Sequence, residues 1–196
     1  MHPCHLIVLP HSAPGSTDAD GSPRAAEAPP LRGCSAAAPR LVHSAPAGDA
    51  DFDFLHGQWL VENRRTAEPF DPSSGWLAFD SILGCRPLAG GGHLEESASD
   101  DGESSVLRLF DSRHRRWTIH RISAEGTLCS PLMGRFMDGV GTFVGDESAR
   151  GEPALVRETW SFRGEKPHWE QSFSLDGGET WTVHWVRDLI RVNWPQ

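Results

Sequence analysis

The stretch FLHGQWLVENRRT, Phe54 to Thr66, opens with Gly57-x-Trp59 and then alternates between apolar and polar residues. Alternation with a period of two is typical of a β-strand that has one face in a core. If Trp59 points inward, the same face carries three further side chains: Val61, Asn63 and Arg65. The stretch therefore predicts a first strand whose buried face is partly polar.

The same alternation continues to the end of the chain, and Gly, Asp, Pro or Ser interrupts it every eight to twelve residues or so. It predicts about ten strands, with Asp138-Gly139 as a two-residue hairpin turn. Ten short strands joined by tight turns favour an all-β, antiparallel, up-and-down sheet that closes into a barrel, because closure removes the exposed edges. A two-sheet sandwich is the alternative.

Residues 1–50 differ in composition from the remainder of the chain. They hold eight of the 15 prolines and none of the nine Phe or eight Trp residues. A segment without aromatic residues buries too little apolar surface to offset its ordering entropy. We predict a disordered Pro/Ala-rich leader over 1–50 and a barrel domain over 51–196. The apolar run Leu6–Leu9 is too short for a secretory signal.

Charge and cysteine content limit the expected partners and compartment. The formal net charge is −9, which argues against general nucleic-acid binding, and no apolar stretch is long enough to span a membrane. The basic run Arg113–Arg116 is interpreted as a solvated turn. The four cysteines are scattered without a Cys-x-x-Cys pair (Cys4, Cys34, Cys85, Cys129). This spacing favours free thiols and a cytoplasmic location. A small-molecule ligand is the expected partner, and a homodimer stays open.

The segment SLDGGETW, Ser174 to Trp181, fits the Asp-box pattern of sialidase propellers. In such a turn the Asp accepts backbone N–H groups, glycine permits a positive φ, and the Trp packs beneath the hairpin. A propeller needs several copies of the motif and a longer chain. The motif therefore predicts a turn and not a sialidase.

Several segments, taken together, resemble a family of small bacterial lipocalin-like (calycin) proteins of unknown function, the domain of unknown function 1579 type. These are DFDFLHGQWLVENRR, LRLFDSRHRRWTI, GRFMDGVGTFVGD, RETWSF and WEQSFSLDGGETWTVHW. The resemblance implies a calycin-type barrel in which Gly57 and Trp59 plug the closed end and Arg191, or Arg187, stacks on the indole. It implies no reaction and no cofactor.

Period-two alternation also predicts which side chains line the interior. In the last strand it groups Trp181, Val183, Trp185, Arg187, Leu189 and Arg191, and it places His184 on the outer face. The candidate ligand-binding residues are Asn63, Arg121, Glu158, Trp160, Gln171, Trp185 and Arg187. Aromatic walls with a few polar anchors are typical of a small-molecule pocket. The alternative is that the same residues only fill and pair within a core.

Two other functions are compatible with the sequence. A cofactor-free enzyme could use Glu158 beside Arg121 as its acid/base group. A haem-binding barrel could use a single histidine, either His184 or His120, although the alternation places both of these, and His168, on the outer face. No His, Cys or Asp spacing suits a structural metal site.

Overall fold

The computed structural model describes residues 48–68, 70–71, 73–100 and 102–192. Almost all of the predicted leader, residues 1–50, lies outside this part of the chain. The described residues form one short 3₁₀ turn, Asp53–Leu55, and ten β-strands. The strands are β1 Gly57–Thr66, β2 Trp76–Leu88, β3 Gly92–Ser99, β4 Gly102–Asp111, β5 Arg116–Ile122, β6 Leu132–Met137, β7 Val140–Ala149, β8 Glu152–Arg163, β9 Lys166–Ser174 and β10 Thr182–Val192.

The strands close into a barrel in which each strand pairs antiparallel with its sequence neighbour, and β1 also pairs with β10. This confirms the prediction of an all-β, ten-stranded, up-and-down barrel. The Asp138-Gly139 hairpin is a two-residue turn as predicted, because Met137 pairs with Val140. Both central residues have positive φ, 50° and 80°, which is the conformation of a type I′ turn.

An aromatic cluster fills one end of the barrel. Phe52 lies at its centre, with ring centroids 5.0 Å from Trp117, 5.0 Å from Phe136 and 5.5 Å from Phe143. Several of these ring pairs meet edge to face, a favoured arrangement for aromatic groups. The 3₁₀ turn that carries Leu55 into the same cluster therefore closes this end.

The last strand departs from the predicted alternation. A β-bulge interrupts the pairing of β10 with β9 between Val183 and Trp185, and its extra residue puts the alternation before it out of step with the alternation after it. Beyond the bulge, Arg187 and Leu189 are buried as predicted. The outward placement of His184 is consequently wrong: its side chain is buried and packs on Phe173. Trp181 lies beside the hairpin turn, under the guanidinium of Arg157.

The Asp-box segment forms the predicted turn. Asp176 accepts hydrogen bonds from the backbone N–H of Thr180 at 2.9 Å and from the hydroxyl of Ser174 at 2.6 Å. The indole N–H of Trp181 donates to the carbonyl of Gly178 at 3.0 Å. These hydrogen bonds all lie within the turn, so the motif has a structural role.

The expectation of free thiols holds for one of the two described cysteines and fails for the other. Cys85 is a free, buried thiol, and burial raises its pKa to about 11, so it stays protonated. Cys129 is disulfide-bonded, and the expectation of free thiols is wrong at this position. The cytoplasmic location, which depended on that expectation, stays a prediction. Within the described residues, no helix has the length and apolarity needed to cross a bilayer.

Candidate functional site

The predicted plug residues meet at the closed end. The guanidinium carbon of Arg191 lies 4.2 Å from the centre of the Trp59 ring. Its Nη1 donates to the carbonyl of His56 at 2.8 Å, and its Nη2 donates to that of Phe54 at 3.0 Å. The indole N–H of Trp59 donates to the carbonyl of Leu55 at 2.7 Å. Stacking and hydrogen bonds together tie the 3₁₀ turn to both strands of the closing pair, β1 and β10.

The plug requires glycine at position 57 for a steric reason. Its φ is +114°, and a Cβ added to it would lie 2.7 Å from Nη1 of Arg191. Any side chain here would meet the guanidinium and also require a backbone conformation that L-residues rarely adopt. The three plug residues therefore serve the architecture.

Two arginines and one glutamate form a buried ionic triad inside the barrel. Glu95 and Arg108 are each 1% exposed, and Arg187 is 8% exposed. Nη2 of Arg108 donates to Oε2 of Glu95 at 2.6 Å, and Nη1 and Nη2 of Arg187 donate to Oε1 at 3.3 and 3.4 Å. Glu95 comes from β3 and Arg108 from the adjacent β4, whereas Arg187 comes from β10, so the triad links β10 to a strand pair with which it shares no backbone hydrogen bonds.

Aromatic rings lie against both guanidinium groups of the triad. Arg108 lies 5.0 Å from the ring of Phe52 and 5.6 Å from that of Trp160, and Arg187 lies 5.2 Å from Trp169. Burial alone would raise the pKa of Glu95, but the charges and hydrogen bonds of the two arginines outweigh it and lower the pKa. Glu95 is therefore ionised at neutral pH, and the triad carries two positive charges and one negative charge.

Glu158 is the centre of a second interior group. Its carboxylate accepts a hydrogen bond from Nη2 of Arg121 at 2.6 Å, from the indole N–H of Trp169 at 3.2 Å and from Nε2 of Gln171 at 3.4 Å. Three donors, one of them charged, explain how a carboxylate is kept inside the barrel. The negative charge of Glu158 is thus balanced by the positive charge of Arg121.

A third group lies toward the end opposite the plug. Trp185 donates its indole N–H to Oδ1 of Asn63 at 3.2 Å, and Nδ2 of Asn63 donates to the hydroxyl of Ser81 at 3.0 Å. The guanidinium of Arg65 lies 5.0 Å from the ring of Phe79 and 5.7 Å from that of Trp185. A cation and two rings thus face each other near the end opposite the plug.

Within the described part of the chain, several buried polar atoms of the interior lack a hydrogen-bond partner. Four are donors and one is an acceptor: Arg108 Nε, Arg108 Nη1, Arg187 Nε, Trp160 Nε1 and Gln171 Oε1. A further one, Arg157 Nε, belongs to the arginine that covers Trp181. Buried polar groups are nearly always paired with protein or water, so a concentration of unpaired ones needs an explanation.

The candidate haem ligands occupy different surroundings. His184 is 3% exposed and packs between Phe173 and Phe70. Burial, followed by the charges of Arg121 and Arg65, lowers its pKa to about 4, so the imidazole is neutral. His120 is half-buried and faces the carbonyl of Cys129 at 3.4 Å.

His168 was also expected on the outer face. Its side chain is buried between two carboxylates, with Nδ1 2.6 Å from Asp188 and Nε2 2.9 Å from Glu170. Both ring nitrogens are therefore occupied by partners within the protein. This arrangement leaves no nitrogen of His168 available for a metal or a cofactor.

Asp53, His56 and His93 form a cluster at the closed end that the sequence did not predict, and their ligand atoms lie within 4.8 Å of one another. Such a set could hold a Zn²⁺ ion. However, Nε2 of His56 and Nδ1 of His93 are 2.7 Å apart, whereas two nitrogen ligands on one zinc are separated by about 3.3 Å. The distance fits a hydrogen bond between the two imidazoles.

The structure brings most of the predicted ligand-binding residues to the interior, in the groups described above. Sequence reasoning missed Glu95 and Arg108. Each lies on a strand where the alternation is misleading: Arg108 stands between Leu107 and Leu109, which suggest that the other face is the buried one. Knowledge of the barrel's register would have been needed to place Arg108 inside.

Comparison with known proteins leaves the family open. No protein-family model matches the chain, and no curated protein matches it. A crystal structure of a protein of unknown function from the DUF3598 family of Nostoc punctiforme aligns with 11% sequence identity and a TM-score of 0.46. The alignment covers 72% of this chain and 48% of that protein, so the chain spans about half of its length.

Proposed function

We propose that the protein is a lipocalin-like carrier or receptor that binds a small organic molecule inside the barrel. The observation that supports this best is the set of unpaired polar atoms on Arg108, Arg187, Trp160 and Gln171, all buried inside the barrel. The lipocalin-like resemblance of the sequence agrees with this function.

Leaving those atoms unpaired would destabilise the folded state. A buried donor or acceptor without a partner costs about 1–3 kcal/mol, and folded proteins have only about 5–15 kcal/mol of net stability. A ligand with hydrogen-bonding groups would satisfy several of these atoms at once. Its aromatic or apolar part would lie against Trp160 and Trp169, whose rings line the same interior.

The ligand would reach the interior from the end opposite Trp59. The plug and the aromatic cluster occupy the end at Trp59, whereas the opposite end carries Arg65, Trp185 and His184. Phe70, in the loop between β1 and β2, lies on this side with its ring 4.8 Å from that of Phe173. A ligand would have to pass this ring.

The binding test uses N-phenyl-1-naphthylamine, a neutral aromatic probe that becomes fluorescent in apolar surroundings. We expect saturable binding with energy transfer from the interior tryptophans. Val156→Phe should abolish it, because Val156 is buried on the inner face and a larger side chain fills the interior. Thr142→Phe is the matched control, since Thr142 is exposed on the outer face.

Thermal melts of both variants would establish that they fold. Equal probe binding by folded Val156→Phe and Thr142→Phe would refute an interior site. Native mass spectrometry of the protein purified from its own host would then identify a co-purifying molecule.

No specific observation favours either alternative function, acid/base catalysis or haem binding. Acid/base chemistry at Glu158 would have to displace the three donors that hold its carboxylate. Haem binding through His184 would have to displace the rings of Phe70 and Phe173. A small molecule bound against Trp160 and Trp169 requires neither displacement in the bound state.

A further inference from the structure

We infer that the ligand is an organic anion, with a carboxylate or sulfonate group that binds between Arg108 and Arg187. This inference rests on the proposed function, because it names the chemical class of the molecule that the barrel interior takes. It follows from the charges, the unpaired donors and the aromatic surroundings of the ionic triad.

The charges of the interior groups do not balance. Glu158 is paired with Arg121, but Glu95 alone faces two guanidinium groups. All three triad side chains are largely or fully buried, so water screens their charges weakly. One positive charge is left without a counterion inside the barrel, and a buried charge normally has one.

The unpaired donors lie on the same two arginines. Glu95 takes Nη2 of Arg108 and both Nη atoms of Arg187, whereas Nε and Nη1 of Arg108 and Nε of Arg187 lack partners among the described residues. An anionic group would accept hydrogen bonds from these atoms and supply the missing negative charge. Guanidinium groups suit planar, multidentate anions such as carboxylates particularly well.

The surroundings of the triad indicate what the remainder of the ligand is like. Both guanidinium groups lie against aromatic rings, those of Phe52 and Trp160 for Arg108 and that of Trp169 for Arg187. The indole N–H of Trp160 is itself unpaired. A ring or short apolar chain attached to the anionic group would pack on these indoles, which distinguishes the ligand from chloride or phosphate.

A pair of probes tests the inference directly. 1-Anilinonaphthalene-8-sulfonate has the same ring system as N-phenyl-1-naphthylamine and carries one added sulfonate. We expect the anionic probe to bind at least tenfold more tightly. If neither probe binds, the proposed function itself fails. If the neutral probe binds as tightly as the anionic one, the interior takes ligands but the inference of an anion is wrong.

Variants of the triad give a second test. Glu95→Gln keeps the shape of the side chain and removes the internal anion, so the anionic probe should bind about tenfold more tightly while the neutral probe is unaffected. Arg187→Gln should weaken the anionic probe alone. Arg64→Gln is the control, because Arg64 is exposed on the outer face of the same barrel.

The Glu95→Gln variant keeps the test decisive even if Arg187→Gln does not fold, provided that near-UV circular dichroism shows native packing in Glu95→Gln, because partly unfolded states also bind 1-anilinonaphthalene-8-sulfonate. Circular dichroism and thermal melts would confirm that each variant is folded. An unchanged affinity of folded Glu95→Gln for the anionic probe would overturn the inference. So would an equal loss in Arg187→Gln and Arg64→Gln.

Discussion

The residue that best shows how sequence and architecture are linked is Gly57. Arg191 extends across the closed end to hydrogen-bond with the carbonyls of Phe54 and His56, and its guanidinium passes directly over the glycine. The Gly-x-Trp pattern therefore records two requirements: a flat ring for the arginine to stack on, and no side chain where the guanidinium lies. Both requirements concern stability.

Replacing Gly57 by alanine should destabilise the barrel more than the same change at another positive-φ glycine. A strained backbone conformation costs about 1–3 kcal/mol, and Gly57→Ala adds a clash with Arg191. Gly139→Ala is the control, because φ is +80° there and nothing lies within 4 Å of the added Cβ. Urea unfolding would measure both. Equal losses would mean that the arginine moves aside freely.

Trp59→Ala should lower the free energy of unfolding by about 3–5 kcal/mol, the usual loss for a buried tryptophan. The change removes the ring under Arg191 and the hydrogen bond to Leu55. Trp76→Ala is the matched control, since that tryptophan is 51% exposed. Thermal melts followed by circular dichroism would compare them. An unaltered melting temperature in Trp59→Ala would contradict the role of plug.

At the scale of the strands, alternation was sufficient where apolar residues themselves mark the buried face. It predicted the inward residues of β1 and β9, including Asn63 and Gln171, because each successive side chain crosses the sheet. In β10 it was right for Arg187 and Leu189, which are buried, and wrong for His184, which is the extra residue of the bulge between Val183 and Trp185. A bulge leaves little trace in a single sequence, since the extra residue, His184, is as acceptable outside as inside.

Because His184 is buried at the bulge, we expect the folded protein to lose stability on acidification. His184 has a pKa of about 4 in the folded protein and about 6.5 when unfolded. The unfolded chain therefore binds the proton first, and stability falls as the pH drops from about 7 to 5. The expected loss is about 2 kcal/mol. The pKa of His93, lowered mainly by burial and by His56, adds a loss in the same direction.

Urea unfolding at several pH values would measure this dependence in the unmodified protein and in His184→Gln. The glutamine variant should lose a large part of the slope between pH 7 and 5, because its side chain does not titrate. His114→Gln is a suitable control, since His114 lies in the exposed turn before β5. Identical slopes in the unmodified protein and His184→Gln would contradict the assignment.

At the scale of the whole molecule, the ionic triad marks the limit of what the sequence could predict. Arg187 was expected to face inward, but its partner Glu95 lies 92 residues away along the chain. The pairing exists only because the sheet closes and places β10 beside β1, so that only β1 and β2 separate β10 from β3. Local patterns determine strands and turns, whereas contacts across a closed barrel depend on register and radius.

The molecule as a whole combines an acidic exterior with an excess of positive charge in its interior. The formal net charge is −9, while the triad holds two cations and one anion. An organic anion is thus repelled at long range and attracted once it is inside. Long-range repulsion acts on the rate of association, whereas contacts in the interior determine the rate of dissociation.

Raising the ionic strength should accordingly speed the association of 1-anilinonaphthalene-8-sulfonate. Between about 10 and 150 mM salt the Debye length falls from about 30 to 8 Å, and the screened repulsion should raise the association rate constant a few-fold. The dissociation rate constant should change little, because the buried triad is shielded from the solvent ions. Stopped-flow fluorescence measures both, with neutral N-phenyl-1-naphthylamine as the control whose rates stay constant. A decrease in the association rate of the anionic probe with added salt would show that the net charge does not govern its approach.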